Sequence, residues 1–198
     1  MKTDVYKLRQ FEKDYKDIPE AAEKAAAFNG LDERSSLRLR LLAEELICML
    51  PQLLIYGSGS FWIESTGRKY ELHLTVTPNI GSDYDIDKII SVSSSGSNAA
   101  AKGIVGRIVT AVEAMLNSRA KLAKDDPYGD MPRGVAGIEN EMVWSLNTYR
   151  DSFSSHSRRP EEAEEWDELE KSIIANIADD VTVGVKSGKV SIVITKDF

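Results

Sequence analysis

The feature that most constrains the fold is the strict alternation of apolar and polar residues over positions 70–77. Successive side chains of a β-strand point to opposite faces, so this pattern predicts a strand with one apolar face and one polar face. The apolar face carries Tyr70, Leu72, Leu74 and Val76, and the polar face carries Glu71, His73, Thr75 and Thr77. Such a strand is typical of an antiparallel sheet that is covered on one side only.

Two hairpins are predicted from alternation of this kind. A strand at 61–65 is expected to pair with the strand at 70–77 across a turn at 66–69, and the GSGS segment at 57–60 predicts another turn. The second hairpin lies near the C-terminal end and turns at Ser187-Gly188. Its expected pairs set Val181, Val183 and Val185 against Val190, Ile192 and Ile194.

Two helices are predicted before the first hairpin. Residues 18–29 are rich in Ala and Glu and end at Asn29-Gly30, a pair typical of a left-handed helix stop. Asp32 is the expected cap of a second helix over 33–54. The apolar stripe of that helix consists of Leu39, Leu42, Leu46, Met49, Leu50 and Leu53.

The remaining segments predict three more helices and an α+β fold. The helices are expected at 104–123, at 138–153 and from Pro160 to Asp179. Loops are expected at 124–137 and over 78–103, where Ile86–Val92 is open to a short helix or a strand. We expect one domain over 1–198 in which helices pack on one face of a mostly antiparallel sheet of about four strands, a two-layer sandwich. Residues 117–178 are interpreted as a helical insertion, and the acidic run Glu161–Glu170 as the solvated face of its last helix.

Composition excludes several classes of protein. The 198 residues include 25 Lys and Arg against 32 Asp and Glu, a net charge of −7 at pH 7, so a broad basic face for nucleic acid is not expected. The single cysteine, Cys48, excludes an intrachain disulfide and a multi-cysteine zinc site, and two histidines are too few for a histidine-rich centre. No metal site is predicted. The chain has no apolar run of membrane-spanning length and no apolar signal core at its start, so a cytoplasmic protein without membrane contact is expected.

Three segments, taken with the order of the elements, carry a resemblance to a known family. The helix at 33–54 contains Glu44-Glu45, followed by Met49; the strand at 70–77 is followed by Asn79-Ile80-Gly81; and Gly103-Ile104-Val105-Gly106-Arg107 leads into the helix at 104–123. Over about residues 15–116 and the last hairpin, the chain resembles the histidine-kinase-like ATPase superfamily, which includes gyrase and sensor histidine kinases. Within that group it is most similar in appearance to the anti-sigma-factor serine kinases.

The resemblance implies a catalytic role for Glu45. In the family a helix carries Glu-x-x-x-Asn, in which the Glu orients or deprotonates the attacking group and the Asn coordinates magnesium. Glu45 matches the Glu, but Met49 occupies the position of the Asn. Because magnesium prefers hard oxygen ligands and a thioether offers none, this substitution argues against magnesium-dependent phosphoryl transfer.

The resemblance also implies an adenine contact after the second strand. The family carries Asp-x-Gly-x-Gly there, and this chain matches it with Asn79 and Gly81 while Asp83 replaces the second Gly. An amide oxygen still accepts a hydrogen bond from the adenine amino group, although without the assistance of a charge. Recognition of ATP or ADP is therefore expected to be weakened.

A phosphate contact is implied at the start of the later helix. The family places a glycine-rich segment there, whose backbone N–H groups meet the phosphates. Gly103 and Gly106 match that segment loosely, with Gly-x-x-Gly in place of the usual Gly-x-Gly. Lys102 or Arg107 would neutralise a phosphate at this position.

Three functions stay open at this point. The first is a degenerate, regulatory ATPase-fold protein that binds ATP or ADP weakly or not at all and acts on a protein partner through residues 117–178. The second is an active ATP-dependent serine kinase with Glu45 as base and Glu44 or Asp83 as metal ligand. The third is a structural or interaction domain without a ligand. A homodimer is one form that the protein contact could take.

Several titratable residues have an ordinary structural interpretation. His73 is expected to be a surface histidine on the polar face of its strand, and Cys48 a buried, inert thiol. Glu44 and Glu45 are expected either to face a cavity or to form a pair that faces solvent. The His156 segment before Pro160 is expected to be an exposed loop.

Overall fold

The computed structural model describes residues 1–9, 15–48, 57–78, 104, 106–108, 110–112, 115, 135–138, 141–154, 160–186 and 189–198. The strands are β1 (Tyr6–Arg9), β2 (Gly57–Thr66), β3 (Lys69–Pro78), β4 (Val135–Ile138), β5 (Glu141–Ser145), β6 (Asp180–Lys186) and β7 (Lys189–Asp197). The helices are α1 (Asp17–Phe28), α2 (Glu33–Cys48), α3 (Leu146–Ser154), α4 (Pro160–Lys171) and α5 (Ile173–Ile177). The described residues between 104 and 115 are also helical, and we call them the 104–115 segment.

The strands form one antiparallel sheet, which confirms the α+β class predicted from the sequence. The spatial order is β1-β2-β3-β7-β6-β5-β4, and every neighbouring pair is antiparallel. The sheet therefore has seven strands, and the prediction of four was wrong because β1, β4 and β5 lie in segments without clear alternation. β3 and β7 are central neighbours, so the first hairpin and the last one are joined side by side.

The register confirms both predicted hairpins. Val181, Val183 and Val185 face Ile194, Ile192 and Val190 respectively. Across the join, Leu72 lies opposite Ile194 and Leu74 opposite Ile192, and all four side chains are buried. Since strand neighbours alternate between faces, one face of the sheet is apolar across β3, β7 and β6 and the helices cover it.

The helix pair α1–α2 confirms the predicted start and stop signals. Gly30 has a φ of +67°, the left-handed conformation that ends α1 with little cost only for glycine. Asp32 accepts hydrogen bonds from the Ser35 backbone N–H at 3.0 Å and from its hydroxyl at 2.8 Å, which caps α2. Leu39, Leu42 and Leu46 of the predicted stripe are buried; Met49, Leu50 and Leu53 lie outside the described residues.

A buried hydroxyl ties the end of α1 to the sheet. The Asn29 side-chain amide donates to Tyr70 Oη at 2.8 Å and to Ser65 Oγ at 2.9 Å, while Tyr70 Oη donates to the Ala25 carbonyl at 3.3 Å. Tyr70 itself is fully buried. The helix pair is therefore fixed on β2 and β3 by directional bonds as well as by apolar packing.

The GSGS segment at 57–60 is a strand and not the predicted turn. A Cβ atom at Gly59 would lie 2.9 Å from the Thr75 carbonyl oxygen and 3.4 Å from a Leu8 side-chain carbon. Glycine is thus needed at position 59 because neighbouring strands approach closely within the sheet. Turn signals in the sequence do not reveal this approach.

Residues 135–145 also differ from the prediction. Val135–Ile138 form a strand where the end of a loop was expected, and Glu141–Ser145 form a strand where a helix was expected. Trp144 is buried opposite Val183, so sheet pairing with β6 outweighs the helical spacing of this apolar segment. The helix begins only at Leu146, and the predicted insertion is therefore not purely helical.

The last predicted helix is interrupted at Ser172. Its hydroxyl accepts a hydrogen bond from the Ala175 backbone N–H and caps the separate short helix α5. The break turns Ile173 outward, where 41% of the residue is exposed, while Ile174 is buried. Continuous helical spacing from Pro160 to Asp179 predicts an apolar stripe of Trp166, Leu169, Ile173, Ile174 and Ile177, and for Ile173 that prediction is wrong. None of the helices in the described part of the chain is long and apolar enough to cross a membrane.

The Tyr70 hydroxyl supplies a test of how α1 is held. Replacement of Tyr70 by Phe keeps the apolar ring and leaves the Asn29 amide with one partner fewer, so the free energy of unfolding should fall by about 1–2 kcal/mol. Urea denaturation measures the change. In a double-mutant cycle, the effects of Tyr70→Phe and Asn29→Ala on the free energy of unfolding should not be additive. Additive effects would contradict the hydrogen bond between the two side chains. Tyr6→Phe, on the partly exposed Tyr6, is the matched control.

Candidate functional site

The candidate site is centred on α2, where two adjacent glutamates have different surroundings. Glu44 accepts a hydrogen bond from Arg40 Nε at 2.7 Å, and Arg40 Nη1 also contacts Glu23 Oε1 of α1 at 2.5 Å. Glu44 is thus part of an ion-pair bridge between the two helices. The two glutamates therefore differ in their contacts, and the cavity expected beside one of them stays a prediction.

Glu45 is half-buried and, among the residues that the structure describes, accepts no hydrogen bond and makes no ion pair. Burial raises the pKa of its carboxyl above the ordinary value, and the neighbouring Glu44 charge adds to that shift. A carboxyl in this condition holds its proton more readily than a surface glutamate.

Most of the predicted nucleotide contacts lie outside the described residues. They are Asn79, Gly81, Lys102 and Gly103, together with Asp83 and the Met49 position of the magnesium ligand. That Asn79 and Glu45 line one cavity, as the resemblance implies, therefore stays a prediction.

Gly106 and Arg107 are described and lie in the 104–115 segment. Gly106 is helical and buried, so it lies within a packed helix and not in a loop before it. Arg107 is partly exposed, and its Nη2 lies 3.1 Å from Glu165 Oε1 of α4. The predicted phosphate-neutralising cation thus has a carboxylate partner within the chain.

Glu165 is the residue that sequence reasoning missed. It was placed in a solvated acidic run, yet its side chain is only 24% exposed, and its Oε2 also accepts a hydrogen bond from Tyr149 Oη at 3.4 Å. The spacing could have revealed it, because Glu165 lies four residues before the core residue Leu169 and so shares a face of the helix with it. Through Glu165 the predicted insertion contacts the helix that the resemblance assigns to phosphate binding.

Two further expectations are corrected by the side-chain positions. Cys48 is exposed at the end of α2 and not buried, because it lies outside the stripe of α2 that faces the sheet. Partial desolvation, with smaller effects from Glu45 and Glu44, raises the pKa of the thiol, which lowers its thiolate fraction. His73 does lie on the polar face of β3, but its side chain is only 17% exposed because it stacks on Trp62.

Comparison with known proteins identifies no relative. The sequence matches no family model, and it has no significant match among the curated proteins or the solved structures.

The raised pKa of Glu45 predicts how stability depends on pH. The native state holds this proton to a higher pH than the unfolded chain does, so the carboxyl lowers stability as pH rises through and above its ordinary pKa of about 4.3. Glu45→Gln removes that cost, and we expect it to raise the thermal midpoint at pH 7 but not below pH 4. Glu44→Gln is the matched control: it breaks the contact with Arg40 and should give no stabilisation at pH 7. A lower midpoint for Glu45→Gln at pH 7 would contradict the assignment.

Proposed function

We propose that the chain is a degenerate member of the histidine-kinase-like ATPase fold, acting as a regulatory protein through contacts with a protein partner. Its nucleotide site binds ATP or ADP weakly, without dependence on magnesium. Efficient phosphoryl transfer is not part of the proposal, because methionine at position 49 offers no hard oxygen ligand for magnesium.

The observation that carries the proposal is the way the elements combine. The helix pair α1–α2, the hairpin β2–β3, the 104–115 segment and the last hairpin β6–β7 follow one another in the order that the resemblance requires. β7 pairs directly with β3, so these parts form a continuous sheet without any contribution from the segment between them. β4 and β5 are added at the outer edge, beside β6, which supports the interpretation of that segment as an insertion.

Glu45 supports the same interpretation. It lies on the second helix at the position matched to the family glutamate, half-buried and without a partner among the described residues. A carboxyl kept in this state reduces stability, and such a cost is common at functional sites. Its neighbour Glu44 is engaged by Arg40, which leaves it poorly suited to serve as a relocated metal ligand.

The insertion supports a regulatory role. Its helix α4 reaches the 104–115 segment through the Glu165–Arg107 ion pair, and its helix α5 packs against α2. A partner that binds α4 or α5 would therefore act on elements that the resemblance assigns to the nucleotide. The partner is a protein of unknown identity, and a second copy of the chain is one form it could take.

Nucleotide binding is tested by thermal unfolding with ATP and with ADP, each with and without magnesium. A ligand at ~100 times its dissociation constant adds about 2.7 kcal/mol to the free energy of unfolding. We expect a modest stabilisation that magnesium does not change and that Asn79→Ala abolishes. A shift that requires magnesium would favour the active serine kinase with Glu45 as base. No shift at millimolar nucleotide would favour the interaction domain without a ligand.

The ion pair between the insertion and the 104–115 segment supplies a second test. Glu165→Gln removes the carboxylate charge beside the Arg107 guanidinium, so affinity for ATP should rise, by at most about fivefold because a partly exposed pair is worth about 0.2–1 kcal/mol. Calorimetric titration of the full chain with ATP measures this affinity. Asp167→Asn, on the exposed side of the same helix, removes the same charge and should leave affinity unchanged. Equal effects of the two variants would mean that the change in ATP affinity reflects the loss of one negative charge and not the contact with Arg107.

A further inference from the structure

The outer face of the first hairpin holds a cluster of potential metal ligands away from α2. In the β2–β3 register Glu64 lies opposite Glu71, and Trp62 lies opposite His73, so these side chains share the face that the helices do not cover. Glu64, Glu71 and His73 each offer one donor atom, and the three atoms lie within 4.8 Å of one another. Two glutamates directly opposite each other on one face repel, which makes this pairing unfavourable unless a cation lies near.

His73 is held in place without a hydrogen bond at its Nε2 atom. Its ring stacks on Trp62 with a centroid distance of 4.8 Å and an interplanar angle of 3°. Nε2 is buried and has no hydrogen-bond partner among the residues that the structure describes, although Glu71 Oε2 lies 3.5 Å from it. A buried nitrogen left in this state is costly and calls for an explanation. Burial also lowers the pKa of the imidazole, despite opposing effects from Glu64 and Glu71, so the neutral form that binds metals is favoured.

Two partly exposed lysines form ion pairs with the two glutamates. Lys2 Nζ lies 2.9 Å from Glu64 Oε1, which also accepts a hydrogen bond from Trp62 Nε1 at 2.8 Å. Lys69 Nζ lies 3.1 Å from Glu71 Oε1. Both lysine side chains are 54% exposed, so little free energy is needed to displace them.

We propose that Glu64, Glu71 and His73 form an open binding site for a divalent transition metal of the zinc type. With metal–ligand bonds of about 2.0–2.2 Å, neighbouring ligands of a tetrahedral ion are separated by about 3.4 Å. The distance between His73 Nε2 and Glu71 Oε2 already has this value, and Glu64 reaches the ion by a rotation of its flexible side chain. Water completes the coordination.

The donor set selects among metals. One imidazole nitrogen with two carboxylate oxygens suits zinc and its close analogue cobalt(II), whereas calcium and magnesium prefer oxygen ligands alone. The ligands come from adjacent strands of a hairpin that is paired on both sides, so their backbone positions are fixed before the metal binds. Stacking on Trp62 fixes the ring of His73 in the same way that outer-shell partners orient metal-bound histidines.

The test is titration of the full chain with cobalt(II) chloride and with zinc chloride, in a Cys48→Ser background that removes the one thiol. Visible absorption reports cobalt in a tetrahedral site, and calorimetry gives the zinc affinity and stoichiometry. We expect one ion per chain, binding weakened about tenfold or more in both His73→Gln and Glu71→Gln, and tighter binding in Lys2→Met because a competing cation is gone.

His156→Gln, which removes the other histidine of the chain, is the matched control and should bind as the parent does. Circular dichroism of each variant checks the fold, and the two ligand variants are independent of each other. The proposal would be overturned by the absence of binding at submillimolar metal, by unchanged affinity in both ligand variants, or by an equal loss in His156→Gln. Since no step of the test involves a nucleotide, its outcome is independent of the function proposed above.

Discussion

The pairing of β3 with β7 is the contact on which the rest of the structure depends. It joins the first hairpin to the last one, which are separated by more than half of the sequence, and closing so long a loop costs conformational entropy. That cost is offset by the apolar face that the join makes continuous, with Leu72 opposite Ile194 and Leu74 opposite Ile192. Without it, the sheet would divide into a three-stranded part, β1-β2-β3, and a four-stranded part, β7-β6-β5-β4, each with one more unpaired edge.

The same join gives the helices a surface to pack on. α1 and α2 cover the β2–β3 half and the 104–115 segment belongs to the same core, while α3 and α5 contribute Leu146 and Ile174 to it. α2 meets α5 over this sheet, so the early helix pair and the late insertion are in contact although they are far apart in sequence. This arrangement connects the helix that carries Glu45 to the insertion, and the Arg107–Glu165 ion pair connects the insertion to the 104–115 segment.

Because side chains alternate between the faces of a strand, the first hairpin carries its core residues on one face and its possible metal ligands on the other. The inward residues of β3 are core, and the outward residues Glu71 and His73 meet Glu64 and Trp62 of β2 on the other side. A metal bound at the outer face would leave the apolar face unchanged. The same backbone pairing of β2 with β3 holds the side chains of both faces in position. The described residues therefore offer candidates in two separate places, Glu45 on α2 and the three possible metal ligands on the outer side of β2 and β3.

The sequence by itself determined the elements whose signals are local. Alternation located both hairpins, the Asn29-Gly30 and Asp32 signals set the limits of α1 and α2, and these were enough for the α+β class. It also identified Glu45 as a candidate, although through a resemblance and not through its environment. Tertiary structure decided what depends on distant neighbours: GSGS at 57–60 became a strand because Leu8 and Thr75 approach it, and the segment around Trp144 became a strand because β6 offers an edge. Likewise the ion pairs of Arg40 with Glu23 and of Arg107 with Glu165 follow from contacts between segments that are apart in the sequence, whereas Glu64, Glu71 and His73 meet within one predicted hairpin. Local propensity is fixed by neighbours in sequence, whereas burial and charge pairing are fixed by neighbours in space.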